Sequence, residues 1–165
     1  MNGRRILVSG GMLLLLGGVI YAAVYLALFS QSLGKLQSIN LELALDMSIK
    51  GQAEMARSYA REFDSVKRRQ LLHWLVSLHF MMTGLSALAI SSFIMELELK
   101  KKWEKILSYL LIFGGVLTGF GFIMQSIGYG FYGWGISLLG YMWLLIGIGG
   151  YAVLLALHVI VKPEL

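Results

Sequence analysis

The sequence has no cysteine, a single proline and little charge. Without cysteine the chain forms no disulfide, no thiolate metal site, no iron–sulfur cluster and no covalent attachment for a c-type haem. The charged fraction is 14%, against about a quarter in an ordinary soluble domain. The deficit is local: long stretches hold no Asp, Glu, Lys or Arg at all. A small soluble protein has too much surface for its volume to bury them all. Catalytic signatures are also missing. There is no Walker loop, no HExxH, no CxxC and no nucleophile elbow.

What is present is apolar, at 58% of residues. Four uncharged runs stand out: Ile6–Phe29, Leu71–Met95, Ile106–Ile127 and Ile136–Val161. A helix needs about 20 residues to cross hydrocarbon, and each run exceeds that. The runs lack the period-two alternation of barrel strands. Helices satisfy their own backbone hydrogen bonds, so they are the expected solution. The first run follows Arg4 and Arg5, as a signal peptide would, but it is longer than the usual h-region of about 7–15 residues. It is read as a retained span. The expected fold is therefore all-α: a single domain over residues 1–165, a polytopic membrane protein with a four-transmembrane-helix bundle.

Residues 31–70 hold no proline and are rich in helix formers, with Gly51 as the central break. Leu36, Ile39, Leu43 and Met47 recur at helical spacing before it, and Met55, Tyr59, Phe63 and Val66 after it. The spacing predicts an extramembrane helical hairpin between the first two spans, its arms Gln31–Ile49 and Gln52–Gln70 turning at Lys50–Gly51. A helix lying flat on the membrane is the rival arrangement. From Ile127 to Gly135, glycines alternate with Tyr129, Phe131, Tyr132 and Trp134, which predicts an aromatic hairpin turn at the headgroup level.

The net charge is +5. The basic residues flank apolar runs as topology signals do, so no nucleic-acid partner is expected. Lys100, Lys101, Lys102 and Lys105 between the second and third runs, with Arg4, Arg5 and Lys162, place both termini on the cytoplasmic side. The first loop opposes this assignment with seven basic residues of its own, including Lys67, Arg68 and Arg69. The Glu96, Glu98 and Lys100–Lys102 cluster reads as a solvated helix end.

Small residues mark close helix contacts in lipid. Gly114, Thr118, Gly121, Gln125 and Gly128 share one face of the third run, and Gly133, Ser137, Gly140, Leu144, Gly147 and Tyr151 one face of the fourth. These stripes are expected to meet, with Gly114, Gly121, Gly140 and Gly147 as the packing residues. Gly115 and Gly119 form a second small-residue pair. Glycines in spans and turns are not expected to cradle phosphate.

The ionisable groups inside the runs are histidines only: His73, His79 and His158. Buried carboxylates, which ion-coupled transport usually requires, are missing. His79, on a stripe with Thr83 and Ser86, is the leading candidate for cofactor binding. Helical rise puts Met142 near its depth, so a mixed His–Met haem b site is considered, with His73 and His158 as weaker candidates. His158 lies too far along its run to share a haem with His79, and His73 faces another side of its helix. For His79 the plain reading is a hydrogen bond that joins two helices, with Tyr21, Tyr25, Tyr141 or Tyr151 as partner. A four-helix membrane bundle with scattered histidines resembles the b-type cytochrome subunits in architecture, with no shared motif, and the histidine depths depart from a bis-histidine arrangement.

Three functions are carried forward. The first is a non-catalytic subunit or scaffold of a membrane complex, associating with other membrane subunits or with itself. The second is a haem- or quinone-associated electron-transfer protein centred on His79. The third is a small-solute transporter acting as an oligomer.

Overall fold

The computed structural model describes residues 2–94 and 101–161, with side chains described through Leu157. It consists of five helices: α1 (Gly3–Leu28), α2 (Ser30–Ile49), α3 (Ala53–Phe93), α4 (Lys101–Ser126) and α5 (Gly130–Val161). Four of them, α1, α3, α4 and α5, are long and apolar enough to cross a membrane.

Asn2 opens α1, its side-chain oxygen accepting the Arg5 N–H at 3.4 Å. Between α1 and α2 the helical bonding hardly pauses. Phe29 N–H reaches Tyr25 O at 3.0 Å, and Leu33 N–H reaches Phe29 O at 3.0 Å. Two reversals, from α2 to α3 and from α4 to α5, share one device. At the first, Gln52 N–H bonds Met47 O at 2.9 Å and Gly51 N–H bonds Ser48 O at 3.1 Å. At the second, Tyr129 N–H bonds Met124 O at 2.9 Å and Gly128 N–H bonds Gln125 O at 3.3 Å. Both are Schellman closures, which need a left-handed residue just past the helix end. Gly51 has φ +72° and Gly128 φ +103°.

The second closure corrects the expected turn. The reversal is confined to residues 127–129, and α5 begins at Gly130 rather than Ile136. One left-handed glycine suffices to turn the chain, so the later glycines are helical. Gly133 is a packing glycine: a Cβ there would stand 2.6 Å from Gly121 O. At the other end, Lys101, Lys102 and Lys105 belong to the first turns of α4 rather than to a loop. Of the expected loop, Glu96, Glu98 and Lys100 lie outside the described residues, as do Met95 at the end of the second run and Lys162.

The helices are joined by close backbone approach. On the α1–α3 seam a Cβ on Gly11 would stand 2.9 Å from Gly84 O, and one on Gly84 would stand 2.6 Å from Gly11 O. On the α4–α5 seam, Gly114 faces Leu144 and Gly140, Gly121 faces Ser137 and Gly133, Gly140 faces Thr118, and Gly147 faces Leu111. The second face of α4 serves α3, with Gly115 against Thr83 and Gly119 against Phe80. The core comprises Leu7, Ala87, Ile94, Leu107, Leu111, Leu144 and Tyr151. The start of α1 meets α4 where Arg4 N–H bonds the Glu104 carboxylate at 2.8 Å. Tyr151 of α5 reaches the Glu104 carbonyl at 3.0 Å, so the beginnings of α1 and α4 and the later part of α5 lie at one end of the bundle.

At the other end α2 runs back along the first half of α3. Its inward line is Leu33, Gln37, Asn40, Ala44 and Met47, and that of α3 is Ala56, Tyr59, Phe63, Val66 and Gln70. Both lines keep heptad spacing, and each position on one lies as far before the turn as a position on the other lies after it. This is the pattern of an antiparallel coiled coil. Met47, Tyr59, Phe63 and Val66 face inwards as the expected apolar stripes have them and Leu43 is half-buried, but the rest of the stripes is corrected. Leu36 and Ile39 are exposed, and Ala56 takes the inward place expected for Met55. The closure at Gly51 fixes the register, and the inward positions follow from it whatever their polarity, including the buried Asn40.

Candidate functional site

The sequence directs attention to the histidines, and the structure separates them. His73 lies on the α1 side of α3. Its Nδ1 is 2.7 Å from the Tyr21 hydroxyl. Its ring stacks on Tyr25 at a centroid distance of 4.8 Å and lies parallel to Phe29 at 6.1 Å. Tyr21 was expected as a partner for His79, and it serves His73 instead. The signal that finds this pair is register. Gly11 opposite Gly84 and Gly18 opposite Ser77 set the antiparallel match of α1 and α3, and that match brings residue 21 level with residue 73.

His79 lies on the other side of α3, towards α4 and α5. Phe122 and Tyr141 present their rings to it edge-on, with centroids 6.0 and 5.7 Å away. Its Nε2 is buried and meets no hydrogen-bond partner of good geometry among the described residues, and the Gly115 backbone is the polar group that acts on the ring. Such an atom normally finds one, because leaving it unpaired costs about 1–3 kcal/mol. Tyr141 approaches through its ring. Tyr25 and Tyr151 are engaged elsewhere, Tyr151 with Ser108 Oγ at 2.7 Å.

The mixed His–Met site gains nothing from this arrangement. Met142 is 54% exposed on the outer side of α5, while its neighbour Tyr141 faces His79. The side chain of His158 lies outside the described residues. Among the described residues no group of three His, Asp or Glu could hold a metal ion.

Further contacts of buried polar groups join helices, while Thr118, Ser91 and Ser126 bond back to carbonyls of their own helix. Ser77 Oγ donates to Gly18 O at 2.9 Å. Gln125 Nε2 donates to Ser137 Oγ at 3.2 Å, and Ser137 Oγ donates to Thr118 O at 3.4 Å. These groups clamp the bundle, and none pairs a nucleophile with a base.

The hairpin offers a different kind of site. Leu41, Leu45 and Ile49 are exposed at 46%, 58% and 86%. They follow one another at four-residue intervals on the side of α2 turned away from Asn40. Charged residues flank the row, among them the Lys50–Asp46 pair at 2.6 Å. The row was not singled out in the sequence, because apolar spacing alone does not tell which stripe the turn directs inwards.

The chain matches no protein-family model, no curated protein and no solved structure.

Proposed function

We propose that this protein crosses a bilayer four times, through α1, the second half of α3, α4 and α5, and serves as a non-catalytic subunit or scaffold of a membrane complex. In this reading α2 and the first half of α3 project from the bilayer as a coiled-coil arm. Charges along both strands of the arm, from Lys35 to Arg69, keep it out of hydrocarbon. At 1.5 Å per residue the arm reaches about 30 Å. Both termini lie on the cytoplasmic side, by the weight of Lys and Arg in the short segments. The meeting of the α1 start with α5 at one end of the bundle supports a shared side.

The observation that carries the scaffold reading is the row Leu41, Leu45 and Ile49. An apolar row on the outside of a charged, water-facing arm is a surface for a partner protein. The glycine stripes of α4 and α5 through Gly114, Gly121, Gly140 and Gly147 are occupied within the bundle, and the arm is the surface proposed for association. The test is affinity purification of the tagged full chain in mild detergent. Stoichiometric partner chains are expected, and Leu45→Glu with Ile49→Glu should release them while the bundle stays folded. Partner recovery unchanged by both substitutions would overturn the reading. Maleimide labelling of single cysteines at Leu41, Leu45 and Ile49 in sealed vesicles tests the projection. Full labelling supports it, and protection by lipid supports the flat arrangement.

A second reading keeps haem b- or quinone-associated electron transfer centred on His79, but Phe122 and Tyr141 set their edges against the ring and no group of three metal-ligating side chains accompanies it among the described residues. A Soret band in the purified protein, lost on His79→Ala, would replace the scaffold proposal with this one.

A further inference from the structure

At the foot of the hairpin, α3 and the α4–α5 turn line a half-open cavity of about 330 Å³. Arg68, Arg69, Gln125, Gly128, Gly130 and Trp134 are among its walls, and no acidic residue is. Neither arginine takes part in an ion pair among the described residues. We propose that this cavity binds a phosphate group, held by Arg68 and Arg69 and carried by an anionic phospholipid headgroup.

The chemistry follows from the walls. Guanidinium groups take phosphate oxygens in a bidentate fork, and two in one concavity are poised for a doubly contacted anion. Gly128 is explained by its left-handed backbone. Gly130 has no such reason, and a Cβ there would meet nothing within 4 Å, so packing does not require a glycine either. The missing side chain instead leaves the backbone at the start of α5 open to the cavity. N–H groups in a first helical turn lack intrahelical acceptors and favour anions. Trp134 is 59% exposed at the rim, and an indole is a headgroup-level residue in a bilayer. The volume lies at the small end of ligand pockets, which run about 300–1,000 Å³, and suits a headgroup better than a multi-ring cofactor.

The lipid source rests on the membrane reading above, and the phosphate chemistry does not. Sequence alone hides the site, because Arg68 and Arg69 lie some 60 residues from Gly128 and Gly130. Along the chain they read as a topology signal.

The test is native mass spectrometry of the full chain in detergent, titrated with phosphatidylglycerol or phosphatidylcholine. One phosphatidylglycerol should be retained with at least tenfold preference. Arg68→Gln with Arg69→Gln should abolish the preference, and Gly130→Leu, which adds bulk where no neighbour stands, should weaken it several-fold. Arg57→Gln with Arg61→Gln removes the same charge from the arm away from the cavity and should leave the preference intact. Inorganic phosphate is added as a competitor. Displacement at low millimolar concentration keeps the site and assigns it to a soluble phosphate, whereas retention assigns it to the lipid. Equal loss with both arginine pairs, or no loss with Arg68 and Arg69 replaced, would overturn the site. Failure of the membrane reading is seen separately, as a chain that stays monodisperse without detergent.

Discussion

The Tyr151 hydroxyl stands 2.7 Å from Ser108 Oγ, and both reach the Glu104 carbonyl, at 3.0 and 2.7 Å. Two helices are thereby fastened one turn from the point where Glu104 also receives the Arg4 N–H. Tyr151→Phe removes the hydroxyl but leaves Ser108 bonded to Glu104. The expected loss is about 0.6 kcal/mol, the average for an interhelical hydrogen bond in a membrane protein. Ser108→Ala should add less in the Tyr151→Phe background than alone, since the two groups share an acceptor. Thermal unfolding of the three variants in detergent measures both terms.

The glycines differ in what surrounds them, and their alanine variants should differ accordingly. At Gly84 a Cβ would stand 2.6 Å from Gly11 O and 2.8 Å from Leu15 N. Backbone cannot yield as a side-chain tip can, so Gly84→Ala should cost about 1–3 kcal/mol. Gly17 has nothing within 4 Å of its Cβ position. Gly17→Ala should be neutral or stabilising by up to about 1 kcal/mol, because alanine is the better helix former. Unfolding midpoints that fall equally for both would refute the seam.

Gly51 carries φ +72° with open space around it. Its role is conformational alone, and Gly51→Ala should cost about 1–2 kcal/mol, the strain of a left-handed L-residue. Gly51→Asn should recover part of this. Hydrogen exchange along α2 reports the change locally, and unaltered protection would count against the closure.

How much could be read beforehand depends on which quantity decides each feature. Long uncharged runs mark α1, α4 and the second half of α3, because run length is a one-dimensional property. The start of α5 was misplaced because Gly130, Gly133 and Gly135 resemble turn residues in sequence. Only the neighbours of Gly133 reveal it as a packing glycine. The inward line through Asn40 escaped for a similar reason: register is set by the hydrogen bonds around Gly51, not by the hydrophobicity of Leu36 or Ile39. Helical rise separated His73 from His79, yet the Tyr21–His73 pair needs the match of α1 against α3. The cavity at Arg68 and Arg69 is invisible along the chain, since its two sides lie some 60 residues apart in the sequence.

The register of the arm can be tested on a clean background, since the chain has no cysteine. Gln37 and Val66 lie equally far from the turn on the inward lines of α2 and α3. Gln37→Cys with Val66→Cys should oxidise readily to an intramolecular disulfide. Leu41→Cys with Val66→Cys should not, because Leu41 is on the outer side and disulfide geometry tolerates Cα separations only up to about 7 Å. Equal oxidation of both pairs would mean the arm has no fixed register.

The two described histidines should respond oppositely to the same substitution. His73→Phe keeps an aromatic ring against Tyr25 but leaves the Tyr21 hydroxyl without its 2.7 Å partner. A loss of about 0.6–1.7 kcal/mol is expected. At His79 the polar atom is already unpaired, and Phe122 and Tyr141 supply an aromatic surround. His79→Phe removes an unsatisfied nitrogen, so its stability should stay unchanged or rise, by as much as the roughly 1–3 kcal/mol that a buried unpaired group costs. Thermal unfolding of both variants in detergent gives the comparison. If His79→Phe destabilises as much as His73→Phe, then the imidazole makes a polar contact within the bundle, for which the Gly115 backbone is the candidate.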